Sequence, residues 1–142
     1  MRHLRRNERG FTLIELMLVI GAIAVLLGVL IAGAGVLNTS KMARAEQDIQ
    51  TLISAGQAYQ ALQPAPTYAG ISFAQLQTLA LLPANASADN PWGNPYTVSG
   101  DAAALTITTD VGDATRCATL SARLAGRASS AACATGTLTV TF

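Results

Sequence analysis

The sequence predicts an α+β chain in which one long N-terminal helix, apolar over its first half, carries a small antiparallel sheet. Three observations predict it. From Leu16 to Leu37 the chain runs for about 22 residues without a charge, which at about 1.5 Å per helical residue covers about 33 Å, enough for a bilayer core. Lys41 to Leu62 then keeps a helical rhythm, with Met42, Ala45, Ile49, Leu52, Ile53 and Tyr59 near one face. Beyond Tyr96, Leu105-Thr106-Ile107-Thr108 and Thr137-Leu138-Thr139-Val140-Thr141-Phe142 alternate apolar and polar residues with the period of two that strands require.

The first ten residues stand apart. Met1 to Gly10 holds Arg2, Arg5, Arg6 and Arg9 against Glu8, so this leader has a net charge of +3 and the remainder −2, within a formal total of +1. Positive residues before a span keep the N-terminus in the cytoplasm and send the rest across, although Lys41 and Arg44 beyond it weaken the asymmetry and Glu46 and Asp48 offset them. No basic surface is left to suggest general nucleic-acid binding. The chain beyond the span, about 100 residues, suits a single core.

The span has a competing reading as a signal-peptide core, which is typically about 7–15 residues long and ends in a small-residue cleavage site. The small residues from Gly28 through Gly35 could supply that site. Glu15 weighs against it. An acidic side chain costs about 2.5–3.5 kcal/mol at the centre of a membrane helix, and less near an interface, so it needs a partner. No basic residue follows it within the span.

Arg9-Gly10 followed by Phe11-Thr12-Leu13-Ile14-Glu15-Leu16-Met17 resembles the class III signal of type IV pilins and of the pseudopilins of type II secretion. The resemblance implies a cut between Gly10 and Phe11 by a prepilin peptidase, N-methylation of the new N-terminal Phe11, and an assembly role for Glu15. It also implies the pilin fold, with residues 1–10 a cleaved leader, 11–37 a transmembrane and filament-core helix, and 38–142 a periplasmic or extracellular globular domain that includes the second half of the long helix. Physical logic agrees. Cleavage would create an ammonium at Phe11, and Glu15 of a neighbouring subunit could pair with it where either charge alone is expensive. Many family members carry a proline within the span where this chain has Ala32, flanked by Gly28, Gly33 and Gly35. Those glycines could loosen the helix, at up to about 1 kcal/mol each, or allow close helix packing.

Taken in order, Asn38-Thr39-Ser40 is polar and either bends one long helix or ends one and caps another; without a proline there, one helix is the reading favoured. Gln63-Pro64-Ala65-Pro66 stops it. Ser72 offers an N-cap with Gln75 three places on, and Phe73, Leu76, Leu79 and Leu82 predict a short helical stripe ending at Pro83. Asn85-Ala86-Ser87 matches a glycosylation acceptor and reads as a surface loop. Asp89 to Tyr96 is a dense turn cluster, similar to Trp-Gly-Asn-Pro stretches of pseudopilins and some pilins, in which Trp92 reads as a structural plug before a ligand platform.

Tyr96-Thr97-Val98 and Leu105 to Thr108 form an expected hairpin about Gly100-Asp101, followed by a loop from Asp110 to Thr115. Cys117, Leu120, Ser121 and Leu124 predict a helix before Gly126, and Thr137 to Phe142 the last strand. Cys117 and Cys133, the only cysteines, both fall in the translocated part, where a disulfide is the default. This C-terminal half resembles the type IVb and conjugative-plasmid pilins, whereas the short leader and Phe11 resemble type IVa.

Little catalytic chemistry is on offer. The only histidine, His3, lies in the leader, and neither nucleophile-elbow nor phosphate-loop spacing occurs. Asp110 and Asp113, with Asp89 and Asp101, could hold calcium as pseudopilin loops do, but solvated loop carboxylates are the commoner case, so neither metal nor cofactor is expected. Arg116, Arg123 and Arg127 cluster near one predicted helix and read as a solvated face before a DNA contact. The resemblance therefore implies a non-enzymatic type IV pilus subunit. It would sit in the bacterial inner membrane as a single span, then enter an extracellular helical homopolymer, with the prepilin peptidase and N-methyltransferase, its own copies and an inner-membrane assembly platform as partners. The alternatives are a pseudopilin of type II secretion, which the cysteine pair disfavours, and a minor pilin with a binding role at the filament tip.

Overall fold

The computed structural model describes residues 12–142, with the backbone alone at 31–34. Its elements are α1 (Leu13–Leu62), α2 (Phe73–Thr78), β1 (Thr97–Gly100), β2 (Leu105–Asp110), α3 (Ala114–Leu124), β3 (Ser130–Ala134) and β4 (Thr137–Thr141). The result is an α+β, pilin-like arrangement. Two compact units divide the chain, Met1–Asn38 and Thr39–Phe142. Helix α1 has 50 residues, and Asn38, Thr39 and Ser40 are helical within it. With no proline, their helix propensities cost at most about 0.7 kcal/mol each, too little to force a break.

In the second unit α1 presents Met42, Ala45, Ile49, Leu52, Ala55 and Tyr59 to the core, and Ile53 packs partly against it. The stripe is the one the spacing predicts, with Ala55 added. Gly56 extends it in another way. A Cβ there would lie 2.6 Å from Leu105 Cδ2, so the missing side chain lets α1 come close to β2.

The sheet is antiparallel throughout, in the order β1-β2-β4-β3. Its register pairs Val98 with Ile107 and Ile107 with Val140, and those three side chains are buried together with Leu105 and Leu138. One face of the sheet thus closes the core, as the alternating pattern requires. The β1–β2 turn falls at Asp101 to Ala104, one residue later than the Gly100-Asp101 expectation. Asp101 Oδ1 accepts the backbone N–H groups of Ala103 and Ala104, both at 2.8 Å. Those bonds hold the exposed Asp101 carboxyl below its ordinary range.

The structure differs from the sequence reading in two places. Ser72 does cap α2, its hydroxyl accepting the Gln75 N–H at 3.2 Å, but the helix ends at Thr78. The chain turns left-handed at Ala80 (φ 53°) and Leu81 N–H returns to the Leu76 carbonyl at 3.0 Å. This closure satisfies the last carbonyls early. Leu79, expected in the apolar stripe, is consequently 40% exposed, whereas Leu76 and Leu82 reach the core. The second difference is β3, a segment before the last strand to which the sequence reading assigns no element. Ser130 to Ala134 is a row of small residues with no apolar alternation and weak strand propensity. It pairs because Thr135 (φ 47°) and Gly136 (φ 88°) form a two-residue loop with positive φ at both positions, the geometry that turns one strand directly onto the next.

The turn cluster is organised by Asn90, only 4% exposed. Its Nδ2 donates to Thr109 Oγ1 at 2.9 Å and to the Asp110 carbonyl at 2.6 Å, and its Oδ1 accepts the Trp92 and Asn94 N–H groups at 2.9 and 3.1 Å. Trp92 packs partly against the core, in keeping with a structural plug. One buried amide therefore fastens the loop from Asp89 to Tyr96 onto the end of β2.

Candidate functional site

The segment that carries the functional reading begins at a helix start. Thr12 lies just outside α1, its Oγ1 accepts the Glu15 N–H at 3.3 Å, and its carbonyl accepts the N–H groups of Glu15 and Leu16 at 3.0 and 3.1 Å. Thr-x-x-Glu is a capping-box spacing, so Glu15 sits in the first turn, where a negative charge complements the helix dipole. The sequence reading singles out Glu15 but misses Thr12 as its cap, for which the Thr-x-x-Glu spacing is the available signal. Gly10 and Phe11, the expected cleavage pair and methylation site, lie outside the described residues.

Downstream of Glu15 the first unit offers an apolar surface. Leu13 is 73% exposed and Ile14 is 70% exposed, and Leu18, Val25, Leu26, Val29, Val36 and Leu37 are also open. A helix with this composition is long and apolar enough to cross a membrane. Large aliphatic side chains left in water cost about 1.5–3 kcal/mol each relative to burial, so this surface demands lipid or protein around it. Apolar residues surround the helix on every side, and this too is the pattern of a segment enclosed by an apolar environment.

The second unit holds the chemistry of the cysteines and carboxylates. Cys117 on α3 and Cys133 on β3 form a disulfide with a Cα–Cα separation of 5.9 Å. Cys117 is fully buried and Cys133 exposed. The bridge ties α3 to an edge strand of low intrinsic propensity. Its closed loop is near the length for which the chain-entropy model gives about 3 kcal/mol. Cys133→Ala is expected to lower the unfolding free energy by about 2–4 kcal/mol. Cys117→Ser is expected to cost more, because it also places a hydroxyl at a fully buried position. Urea titration of the two variants beside the oxidised chain checks the order.

Two of the loop carboxylates accept backbone N–H groups. Asp113 caps α3, accepting the Thr115 and Arg116 N–H groups at 2.8 and 3.0 Å, and Asp110 Oδ1 accepts the Gly112 N–H at 2.7 Å. The hydrogen bond from Arg116 is the main influence that holds the Asp113 carboxyl below its ordinary range. These contacts give both acids a structural role in the turn that leads from β2 into α3. The basic residues are likewise partly engaged. Arg123 and Arg127 each approach Glu46 of α1 at 3.8 Å, a pairing the sequence reading did not foresee because it joins residues far apart in the chain. Glu46 thus offsets part of the charge of Arg123 and Arg127, which remain exposed, and exposed pairs of this kind add little stability.

A family model described as the prokaryotic N-terminal methylation motif matches residues 5–31, a stretch that contains Gly10, Phe11 and Glu15. No curated protein and no solved structure matches the chain. The matched motif implies processing by a prepilin peptidase and association with a membrane, and the apolar first half of α1 fits that association. By its N-terminal segment, the chain is similar to type IV pilin-like prepilins.

Proposed function

We propose that this chain is a structural subunit of a type IV pilus. The observation that carries the reading is the joining of a methylation motif to a helix whose apolar side chains are open along the length a bilayer requires. The leader, residues 1–10, is removed between Gly10 and Phe11, and Phe11 is methylated. Residues 11–37 hold the subunit in the inner membrane with its N-terminus cytoplasmic, and residues 38–142 form the domain on the far side.

Assembly then exchanges one apolar environment for another. An inner-membrane platform moves the subunit out of lipid, and the exposed leucines, isoleucines and valines of α1 bury against the same helices of neighbouring copies. During that transfer the Phe11 ammonium of one subunit and the Glu15 carboxylate of the next satisfy each other, because an unpaired charge in either environment is costly. Shear fractionation of cells separates this reading from a pseudopilin. Release of the processed chain into the sheared surface fraction is expected. Its complete retention in the envelope would move the pseudopilin reading ahead.

A further inference from the structure

Between α1 and the loop beyond α2 lies a cleft of about 520 Å³, lined entirely by residues of the Thr39–Phe142 unit. Its volume is within the range of small-molecule sites, about 300–1,000 Å³. Arg44, Gln47 and Asp48 line it from α1, and Asn85 from the loop. Leu52, Phe73 and Leu82 give it an apolar part. Tyr96 is buried at its edge and donates its hydroxyl hydrogen to Asp48 Oδ2 at 3.3 Å. Burial raises the Asp48 carboxyl above its ordinary range, while the Tyr96 bond and the nearby Arg44 charge oppose the shift.

The chemistry of the lining narrows the ligand. The side-chain amides of Gln47 and Asn85 and the Oδ1 atom of Asp48 have no hydrogen-bond partner among the described residues. Two amides, a guanidinium and a free carboxylate oxygen together offer donors and acceptors side by side, with apolar surface next to them. Arg44 and Asp48 stand one helical turn apart, so their charges offset each other and the cleft has no strong field of either sign. An anion would meet the Asp48 carboxylate and a cation the Arg44 guanidinium. A zwitterion would need the two poles held apart. A neutral polyhydroxyl compound needs neither: its hydroxyls both donate and accept, and its C–H face can lie on Phe73 or Leu82.

We infer that this cleft is a carbohydrate site taking one or two units of a neutral sugar, with Gln47, Asp48 and Asn85 as its hydroxyl-binding side chains. The site is independent of whether the chain ends in a pilus or in a secretion system. Affinity is expected to be weak, with a dissociation constant of about 1 mM, because the ligand is small and the cleft open.

The test uses the full chain in zwitterionic micelles whose detergent has no sugar head group. Glucose, galactose, N-acetylglucosamine and maltose are the probes, each at millimolar concentration. Saturation transfer from protein to at least one of them is expected, together with shifts of the Gln47 and Asn85 side-chain amide resonances. Gln47→Ala and Asn85→Ala replace exposed side chains and are expected to leave the near-ultraviolet circular dichroism unchanged while weakening binding about 5- to 10-fold each. Asp48→Asn, which still accepts from Tyr96, is expected to weaken it at least as much. Three results would overturn the inference: no transfer to any of the four probes, binding that survives the Gln47→Ala, Asn85→Ala double change, or the same shifts produced by glycine and by none of the sugars.

Discussion

Glu15→Val is expected to abolish surface filaments while leaving membrane insertion and leader removal intact. Valine is more easily accommodated in lipid than glutamate, so the span survives. What disappears, in the proposed pairing, is the partner of the Phe11 ammonium. Removing one member of a buried ion pair strands the other and typically costs about 3–5 kcal/mol, which corresponds to a loss of about two to four powers of ten in each subunit's association constant. Because Glu15 also occupies the first turn behind the Thr12 cap, a local effect must be separated from the loss of charge. Glu15→Gln does so. Glutamine is an equally good residue at that capping-box position, so if helix capping alone mattered this variant would assemble normally. Assembly is expected to fail for both variants when filaments are counted by electron microscopy, with processing followed by mass. Normal piliation of Glu15→Val would remove the pairing from the mechanism.

The second large effect is expected at Asn90, far from the apolar segment. Asn90→Ala deletes four side-chain hydrogen bonds within 2.6–3.1 Å, made to Thr109, Asp110, Trp92 and Asn94. At about 1 kcal/mol for each, and more where a buried group is left unpaired, the loss is about 4 kcal/mol. A domain of this size has a total stability of about 5–15 kcal/mol, so much of the margin would go. Asn90→Asp should be no milder. It keeps the acceptor toward Trp92 and Asn94 but turns a carboxylate oxygen toward the Asp110 carbonyl, where a donor is required. Urea unfolding of the full chain in micelles, followed by the near-ultraviolet signal of Trp92, measures both. A midpoint unchanged in Asn90→Ala would contradict the role given to this amide.

The contrast between these two residues explains what was legible in the sequence. The motif around Glu15 could be read because it is local: a fixed order of glycine, aromatic, acid and apolar span lies within a few residues, where the family model also matches. Helix α3 and strands β2 and β4 were legible for the same reason, since each carries its burial period in its own residues. Asn90 was hidden in a cluster that reads only as a turn, because its partners Thr109 and Asp110 come about twenty residues later. Likewise Glu46 meets Arg123 and Arg127 only once α3 lies against α1. Strand β3 shows the other limit. Its alanines and serine have no period to detect, and pairing is imposed by the Thr135-Gly136 turn, the regular strand beside it and the Cys117–Cys133 bridge. The positive φ at Thr135 could not have been foreseen, since a β-branched residue rarely adopts it.

The most direct measurement is the intact mass and N-terminal sequence of the protein sheared from the cell surface under non-reducing conditions. A single dominant species beginning at N-methylated Phe11, and lighter by the two hydrogens lost on joining Cys117 to Cys133, is the expected result. A chain that begins beyond Gly28 would contradict it, since the apolar helix would then have served only as a signal peptide and the protein would be an ordinary secreted domain.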